Sequence, residues 1–150
     1  MAMVDPGAPD GAFPRAITAV TLGVADVARS RAYYEALGWE PFEVHHEVVF
    51  IRLGGQIVAL FTAAGLAEDT GCDDLPAGSG SVTLARNFPS GADVDAAFAR
   101  ALAAGATSVV APRSTSWGGY SSYVADPDGH LWELAWNPFW PIAADGTVGD

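Results

Sequence analysis

The chain has 150 residues, of which 50% are hydrophobic and 17% are charged, a composition typical of a single globular domain. Seven arginines, no lysine and 18 acidic residues give a formal net charge of −11 at pH 7, which argues against a nucleic-acid partner because the phosphate backbone repels such a surface. The lack of lysine also excludes Schiff-base chemistry and a P-loop.

The sequence contains no signal for a membrane or for secretion. No apolar run approaches the roughly 20 residues of a transmembrane helix. Residues 1–15 lack the basic flank and the apolar stretch of a signal peptide, and Cys72 has no second cysteine for a disulfide. We therefore expect a cytoplasmic protein with a flexible N-terminal arm over 1–15 and no membrane partner.

The first half of the chain predicts a strand, a helix and three further strands over 16–62. The strand "AITAVTLGV" precedes the helix "VARSRAYYEAL", which Asp26 can cap and Gly38 can end. The segments "EPFEV", "EVVFIRL" and "QIVALFT" have strand-like patterns, and Gly54-Gly55 favours a hairpin between the last two. The acidic, glycine-rich segment over 63–80 is typical of a linker.

The second half repeats this order. "SVTLARN" is followed by the helix "ADVDAAFARALAAGA" and by the strands "TSVVAP", "YSSYVA" and "HLWELAW". "AVTL" at 19–22 matches "SVTL" at 81–84, and "IVALFT" corresponds to "LWELAW". We predict an α+β fold of two βαβββ modules, 16–62 and 81–136, in one domain over 16–140 with a C-terminal tail over 141–150.

The motifs "LGVADVARSRAYYEALGW" and "YVADPDGHLWEL" resemble the vicinal oxygen chelate superfamily, which includes glyoxalase I, extradiol dioxygenases and bleomycin-resistance proteins. The resemblance covers about residues 16–140 and implies a glyoxalase-like fold in which two curled mixed sheets form a cleft. It also implies four symmetric positions for the ligands of a divalent ion: Ala19, Ala59, Ser81 and Glu133. Since only Glu133 is a strong ligand, we expect no metal site and no other cofactor.

The histidines do not supply the missing ligands. His45 and His46 are adjacent on an extended segment, so their side chains point to opposite faces and at most one can enter the cleft. Both are expected at an edge or on the surface. His130 follows the turn "DPDG" and is expected to face solvent.

Strand alternation places Trp132, Leu134 and Trp136 on the core side of the last strand and Glu133 on the cleft side. Three roles remain open for Glu133. It can be a structural carboxylate, a hydrogen-bond acceptor for a ligand, or a general base if burial raises its pKa. It is the candidate catalytic residue if the protein is an enzyme.

The partners of Glu133 depend on the length of the preceding turn. If residues 127–129 form a three-residue loop, Tyr123 lies opposite Glu133 with Ser121 beyond it. A loop of another length would place Ser122 there instead.

Other residues are candidates for the walls of a ligand site. Gly118-Gly119 permits a sharp bend, so Trp117 and Tyr120 can close the mouth of the cleft, or they can cover the core or a subunit contact. The remaining candidates lie on or near the inner strands of the two modules: Thr21, Phe61 and Thr83.

Two classes of function remain. We favour a glyoxalase/bleomycin-resistance-like protein that binds a small organic molecule in its cleft without the metal site of the family. The alternative is an enzyme, either a lyase, an isomerase or a dioxygenase, that uses a rearranged metal site or Glu133 as a base. Phe139 and Trp140 in the tail are poorly explained by exposure to solvent, and proteins of the family frequently pair, so we expect a homodimer.

Overall fold

A computed structural model describes residues 16–149 except 74, 76 and 79. The predicted N-terminal arm over 1–15 lies outside the described residues. In chain order the elements are β1 (Ala19–Val24), α1 (Val27–Ala36), β2 (Pro41–Val44), β3 (Val48–Leu53), β4 (Gln56–Thr62), α2 (Ala63–Thr70), β5 (Leu84–Asn87), α3 (Gly91–Ala104), β6 (Thr107–Ser114), β7 (Tyr120–Ala125) and β8 (Leu131–Trp136).

The strands form two four-stranded mixed sheets with the orders β1-β4-β3-β2 and β5-β8-β7-β6. In each sheet the first strand of a module runs parallel to the last, and the other neighbours run antiparallel. The predicted α+β fold of two βαβββ modules is therefore confirmed. Among the described residues, the helices are too short or too polar to cross a membrane.

The segment 63–80, predicted as a linker, contains the short helix α2. The hydroxyl of Thr62 caps this helix by accepting a hydrogen bond from the amide of Gly65, and Gly71 ends it with a φ of 71°. The prediction gave more weight to the glycines and acids of this segment than to its alanines, which are the strongest helix formers.

Side-chain caps and glycines set the bounds of α1 and α3. Asp26 and Ser90 each accept a hydrogen bond from an amide in the first turn of their helix, at 3.1 and 3.2 Å. Gly38 and Gly105 follow the helices with φ values of 91° and 119°, a left-handed conformation that side chains disfavour. The predicted cap at Asp26 and the predicted end at Gly38 are confirmed.

One hydrophobic core joins the two modules. It contains Tyr34 of α1, Ile51 and Leu60 of the first sheet, and Val124 and Trp132 of the second sheet. Each of these side chains is at most 8% exposed. The core therefore draws on both sheets and on the helices.

The strands alternate between this core and an opposite face, which we call the Glu133 face. In β8, Trp132 and Leu134 are buried in the core, whereas Glu133 between them points away from it. In β4, Val58 and Leu60 are likewise in the core. The alternation predicted for the last strand is confirmed.

Residues 127–129 form a three-residue loop between β7 and β8, the first of the loop lengths considered from the sequence. The amide of Asp126 donates to the carbonyl of His130 at 2.9 Å, which closes the hairpin. Tyr123 consequently pairs with Glu133, and the alternative register is excluded.

The predicted register between the two first strands is wrong by two residues. Thr21 pairs with Ala59 in the first sheet, and Ala85 pairs with Glu133 in the second. Ala85 is therefore the counterpart of Thr21 when Ala59 is matched to Glu133. The N-cap of the following helix agrees, since it comes five residues after each of them.

In this register Ser81 is not the residue of the second module that is equivalent to Ala19. Ser81 lies before the start of β5, and the equivalent position falls to Thr83. The prediction aligned the two first strands by their shared residues "VTL". Their equivalent positions are instead given by the hydrogen-bond register and by the caps of the following helices. A shift of two residues keeps the same face, so one hydroxyl group replaces another.

The turn over 126–130, here called the Asp126 turn, is held by buried hydrogen bonds. The carboxylate of Asp126 accepts from the hydroxyl of Tyr34 at 2.6 Å and from the amides of Asp128 and His130 at 3.0 and 2.9 Å. The Tyr34 hydroxyl in turn accepts from the indole N–H of Trp132 at 3.1 Å. Burial, followed by the nearby Asp126 charge, raises the pKa of Tyr34 far above its usual value, so the phenol stays a neutral donor.

The Asp126 turn also reaches the junction of β1 and α1. His130, expected to face solvent, is only 8% exposed, and its Nε2 donates to the carbonyl of Gly23 at 2.8 Å. Oδ1 of Asp128 accepts from the amide of Ala25 at 2.8 Å and from Arg29 at 3.0 Å. These contacts join the two modules at the end of β1, and they correct the prediction for His130.

The tail beyond β8 folds back on itself. Ile142 and Val148 form an antiparallel bridge, and the amide of Ala143 donates to the carbonyl of Thr147 at 2.8 Å. Phe139 and Trp140, which precede this bridge, are 75% and 50% exposed.

Candidate functional site

Glu133 lies in the middle of β8 and is partly buried. Its Oε2 accepts a hydrogen bond from the hydroxyl of Ser121 at 3.0 Å. Tyr123 lies directly opposite on β7. We call Ser121, Tyr123 and Glu133 the polar triad, since these three side chains share the Glu133 face of neighbouring strands.

The triad combines a carboxylate acceptor with hydroxyl donors. Burial, followed by the charge of Glu133 and a hydrogen bond to it, raises the pKa of Tyr123, so this phenol keeps its proton at neutral pH. A carboxylate offers about four lone-pair sites, of which Ser121 uses one and the hydrogen bond from Tyr123 uses another. Glu133 thus has capacity to accept an N–H or O–H group from another molecule.

Three further candidates lie on the first sheet or next to the second. Thr21 is exposed and pairs with Ala59. Ala59 is the residue of the first sheet that is equivalent to Glu133. Phe61 is half-buried against the first turn of α2, where a Cβ on Gly65 would come within 2.6 Å of its ring. Thr83 is exposed immediately before β5.

Tyr120 and Trp117 do not belong to the polar triad. Tyr120 packs against the core and donates to Oδ1 of Asp95 on α3 at 2.7 Å, which places it on the helix side of the sheet. Trp117 is 45% exposed, and its ring covers Gly119 so closely that a Cβ there would collide with it. The bend at Gly118 has a φ of 92°. Of the two roles considered for Tyr120, covering the core is the one that the structure shows.

The metal-ligand positions of the family do not fit a divalent ion in this chain. Ala19 and Ala59 offer methyl groups, Thr83 offers a neutral hydroxyl, and only Glu133 offers a strong ligand. Within the described part of the chain, no three His, Cys, Asp or Glu side chains are grouped to hold a metal ion. Such ions usually take three or four protein donors, so the donor set falls short.

His45 and His46 lie at the turn before β3 and are exposed, as predicted. Nε2 of His45 lies 2.6 Å from Oε1 of Glu43.

The fold and this face define a protein of the glyoxalase type. The sequence model of the Glyoxalase/Bleomycin resistance protein/Dioxygenase superfamily matches residues 16–134. The chain therefore belongs to this superfamily.

Solved structures of the same superfamily are similar to the chain. A glyoxalase-related enzyme from Fulvimarina pelagi is 36% identical with a TM-score of 0.85, over 91% of this chain and 99% of that one. A glyoxalase/bleomycin resistance protein/dioxygenase from Nocardioides is 25% identical with a TM-score of 0.71, over 83% and 84%. The lactoylglutathione lyase from Agrobacterium tumefaciens shares the fold, at 23% identity and a TM-score of 0.63 over 86% and 98%.

Curated relatives match over a short segment. Uncharacterized proteins of Mycobacterium bovis and Mycobacterium tuberculosis are 57% identical over 42 residues, which is 28% of this chain. The match spans 28% and 25% of the length of these two relatives.

Proposed function

We propose that the protein binds a small organic molecule on the Glu133 face without the metal site of the superfamily. The observation that supports this most strongly is the polar triad, in which a partly buried carboxylate keeps acceptor capacity beside a protonated phenol. The alanines at the equivalent family positions favour an organic ligand over a coordinated ion.

The chemistry of the triad limits the class of ligand. Glu133 favours a molecule with an N–H or O–H donor, and the Tyr123 hydroxyl, whose proton is directed at Glu133, offers its oxygen as a second acceptor close by. Phe61 would suit an apolar or aromatic part of the molecule. A small aromatic or amphipathic compound with a polar end meets these conditions.

An enzyme that uses Glu133 as a general base is the second candidate. It is favoured by the 36% identity to a structure described as a glyoxalase-related enzyme. In this case Glu133 would take a proton from an acidic carbon or oxygen, and the O–H of Tyr123 would stabilise the resulting oxyanion. The lyase, isomerase and dioxygenase reactions remain alternatives within this candidate, whereas a rearranged metal site finds no group of three donors among the residues that the structure describes.

Chemical-shift mapping tests the location of the ligand. We expect small neutral phenols and anilides to move the backbone amide signals of Ser121, Tyr123 and Glu133 in ¹H–¹⁵N spectra. Their O- or N-methylated counterparts serve as controls and should bind more weakly, because they lack the donor for the carboxylate. Shifts confined to residues outside the Glu133 face would contradict the proposal.

We also propose that the protein forms a homodimer through the exposed aromatics of its tail. Sedimentation velocity at micromolar concentration should give twice the chain mass of 15.5 kDa. Replacing both Phe139 and Trp140 by serine should shift the protein toward the monomer, because these side chains are 75% and 50% exposed in the single chain. A wild-type protein that sediments as a monomer would contradict this proposal.

A further inference from the structure

A cavity lies on the helix side of the second sheet, opposite to the Glu133 face. It has a volume of about 470 Å³ and lies between α1, α3 and the core side of β8. Small-molecule sites typically measure about 300–1,000 Å³. Its lining runs from buried Tyr34 and Val124 to exposed Asp93 and Arg100, so the cavity opens to the surface.

The inner wall of the cavity is a rigid aromatic surface. The rings of Tyr34 and Trp39 are stacked at 5.5 Å with an interplanar angle of 10°. Trp132 meets them edge-on, at 6.3 and 5.4 Å. Since the Tyr34 hydroxyl is bonded to buried Asp126, this wall is fixed before any ligand binds. Trp39, which is partly exposed and held in place by this stack, offers a preorganised aromatic surface to a planar ring.

Arg86 supplies a positive charge at the edge of the cavity. Its guanidinium lies 5.5 Å from the centre of the Phe88 ring, which also lines the cavity. The tail packs against it, since a Cβ on Gly146 would collide with the guanidinium. Hydrogen bonds from Thr147 lower the pKa of Asp145, and the charge of Arg86 adds a small part to this lowering, so part of the charge of Arg86 is already balanced.

Arg100 supplies a second positive charge at the mouth. It is exposed, and it forms no ion pair with any residue in the described part of the chain. The acid that lines the cavity, Asp93, already accepts a hydrogen bond from the hydroxyl of Ser90 at 2.7 Å. The lining thus contains two arginines and one acid, so that even with Arg86 partly balanced by Asp145 a small positive charge remains, on a chain whose formal net charge is −11.

We propose that this cavity binds a small planar aromatic anion, with its ring against Trp39 and its carboxylate toward Arg100. An aromatic wall alone would accept any apolar molecule, but a locally positive mouth on an acidic protein selects an anion. This site is separate from the one proposed on the Glu133 face and does not depend on it.

The proposal is tested with 2-naphthoate as the probe and neutral 2-naphthamide as its matched control, by calorimetry. We expect 2-naphthoate to bind the wild-type protein more tightly than 2-naphthamide does. Ala97→Phe fills the cavity from α3 and should abolish binding. Arg100→Gln should weaken 2-naphthoate by about 3- to 10-fold and leave 2-naphthamide unchanged.

Glu133→Gln is the control for the other face and should bind 2-naphthoate as the wild type does. Three results would overturn the proposal: no binding of 2-naphthoate, equal binding of the amide, or loss of binding in Glu133→Gln. Should Ala97→Phe not fold, Arg100→Gln still decides, because its side chain is exposed and its loss leaves the core intact. Unchanged affinity in Arg100→Gln would also overturn the proposal.

Discussion

Replacing Asp126 by alanine is expected to lower the free energy of unfolding by about 3–5 kcal/mol. The side chain is 3% exposed, and its carboxylate accepts from the Tyr34 hydroxyl and from the amides of Asp128 and His130. Alanine would leave all three donors buried without this acceptor. The variant should also weaken the attachment of the second module to the start of α1.

Asp95→Ala is a matched control for this measurement. Asp95 also accepts a hydrogen bond from a tyrosine hydroxyl, that of Tyr120 at 2.7 Å, but it is exposed. Urea unfolding followed by circular dichroism should show a loss of less than about 1 kcal/mol for the control. Equal losses for Asp126→Ala and Asp95→Ala would show that the Asp126 turn does not contribute as described.

Glu133→Gln is expected to weaken binding on the Glu133 face by roughly 10- to 150-fold, or about 1.5–3 kcal/mol. Glutamine keeps the size of the side chain and one acceptor oxygen, but it removes the charge. The probe is the tightest phenol or anilide found by chemical-shift mapping, and its affinity is measured by calorimetry. Because Glu133 is only partly buried, the free energy of unfolding should change by less than about 1 kcal/mol.

The same variant separates the three roles of Glu133. A drop of about 1–3 kcal/mol in stability with unchanged affinity would make Glu133 a structural residue that holds Ser121. Normal binding with turnover reduced by roughly 10²–10⁴-fold would make it a general base. Glu68→Gln on α2, an exposed residue outside the triad, is the control for the loss of one negative charge.

Local signals carried most of the fold prediction. The cap at Asp26 and the left-handed residue Gly38 each depend on a few neighbouring residues and were predicted from the sequence, and the loop over 127–129 was one of the lengths considered. The alternation of Trp132 and Glu133 is equally local. These patterns fix the strands and helices, and the family resemblance supplied the way in which the two modules combine.

Long-range contacts could not be predicted in the same way. The hydrogen bonds of Asp126 to Tyr34 and of His130 to Gly23 join residues 92 and 107 positions apart. No spacing in the sequence indicates such pairs. His130 was therefore expected in solvent, although it is buried at the junction of the modules.

Two errors had signals in the sequence. Tyr120 and Tyr123 are three residues apart on one strand, so alternation places them on opposite faces, yet both were predicted at the ligand site. The helix caps at Asp26 and Ser90 also indicate which residues of the two first strands are equivalent. The prediction aligned these strands by the shared residues "VTL" instead.

The stretch "ADPDGHLWEL" has two separate roles in this chain. Asp126, Asp128 and His130 are structural, since their side chains attach the hairpin to β1 and α1. Glu133, three residues further on, points away from the core. The motif therefore indicates the fold. The chemical role of Glu133 depends on the side chains around it, which the motif does not include.

The most direct test of the proposed function is the metal content of the wild-type protein and of Glu133→Gln, purified without a histidine tag. Both are dialysed against zinc, iron, nickel or manganese and then against buffer, and the bound metal is measured by elemental mass spectrometry. Since the family positions carry two alanines and one hydroxyl beside Glu133, both proteins should retain far less than one ion per chain. One divalent ion per wild-type chain, lost in Glu133→Gln, would contradict the proposal and establish a metal site at Glu133.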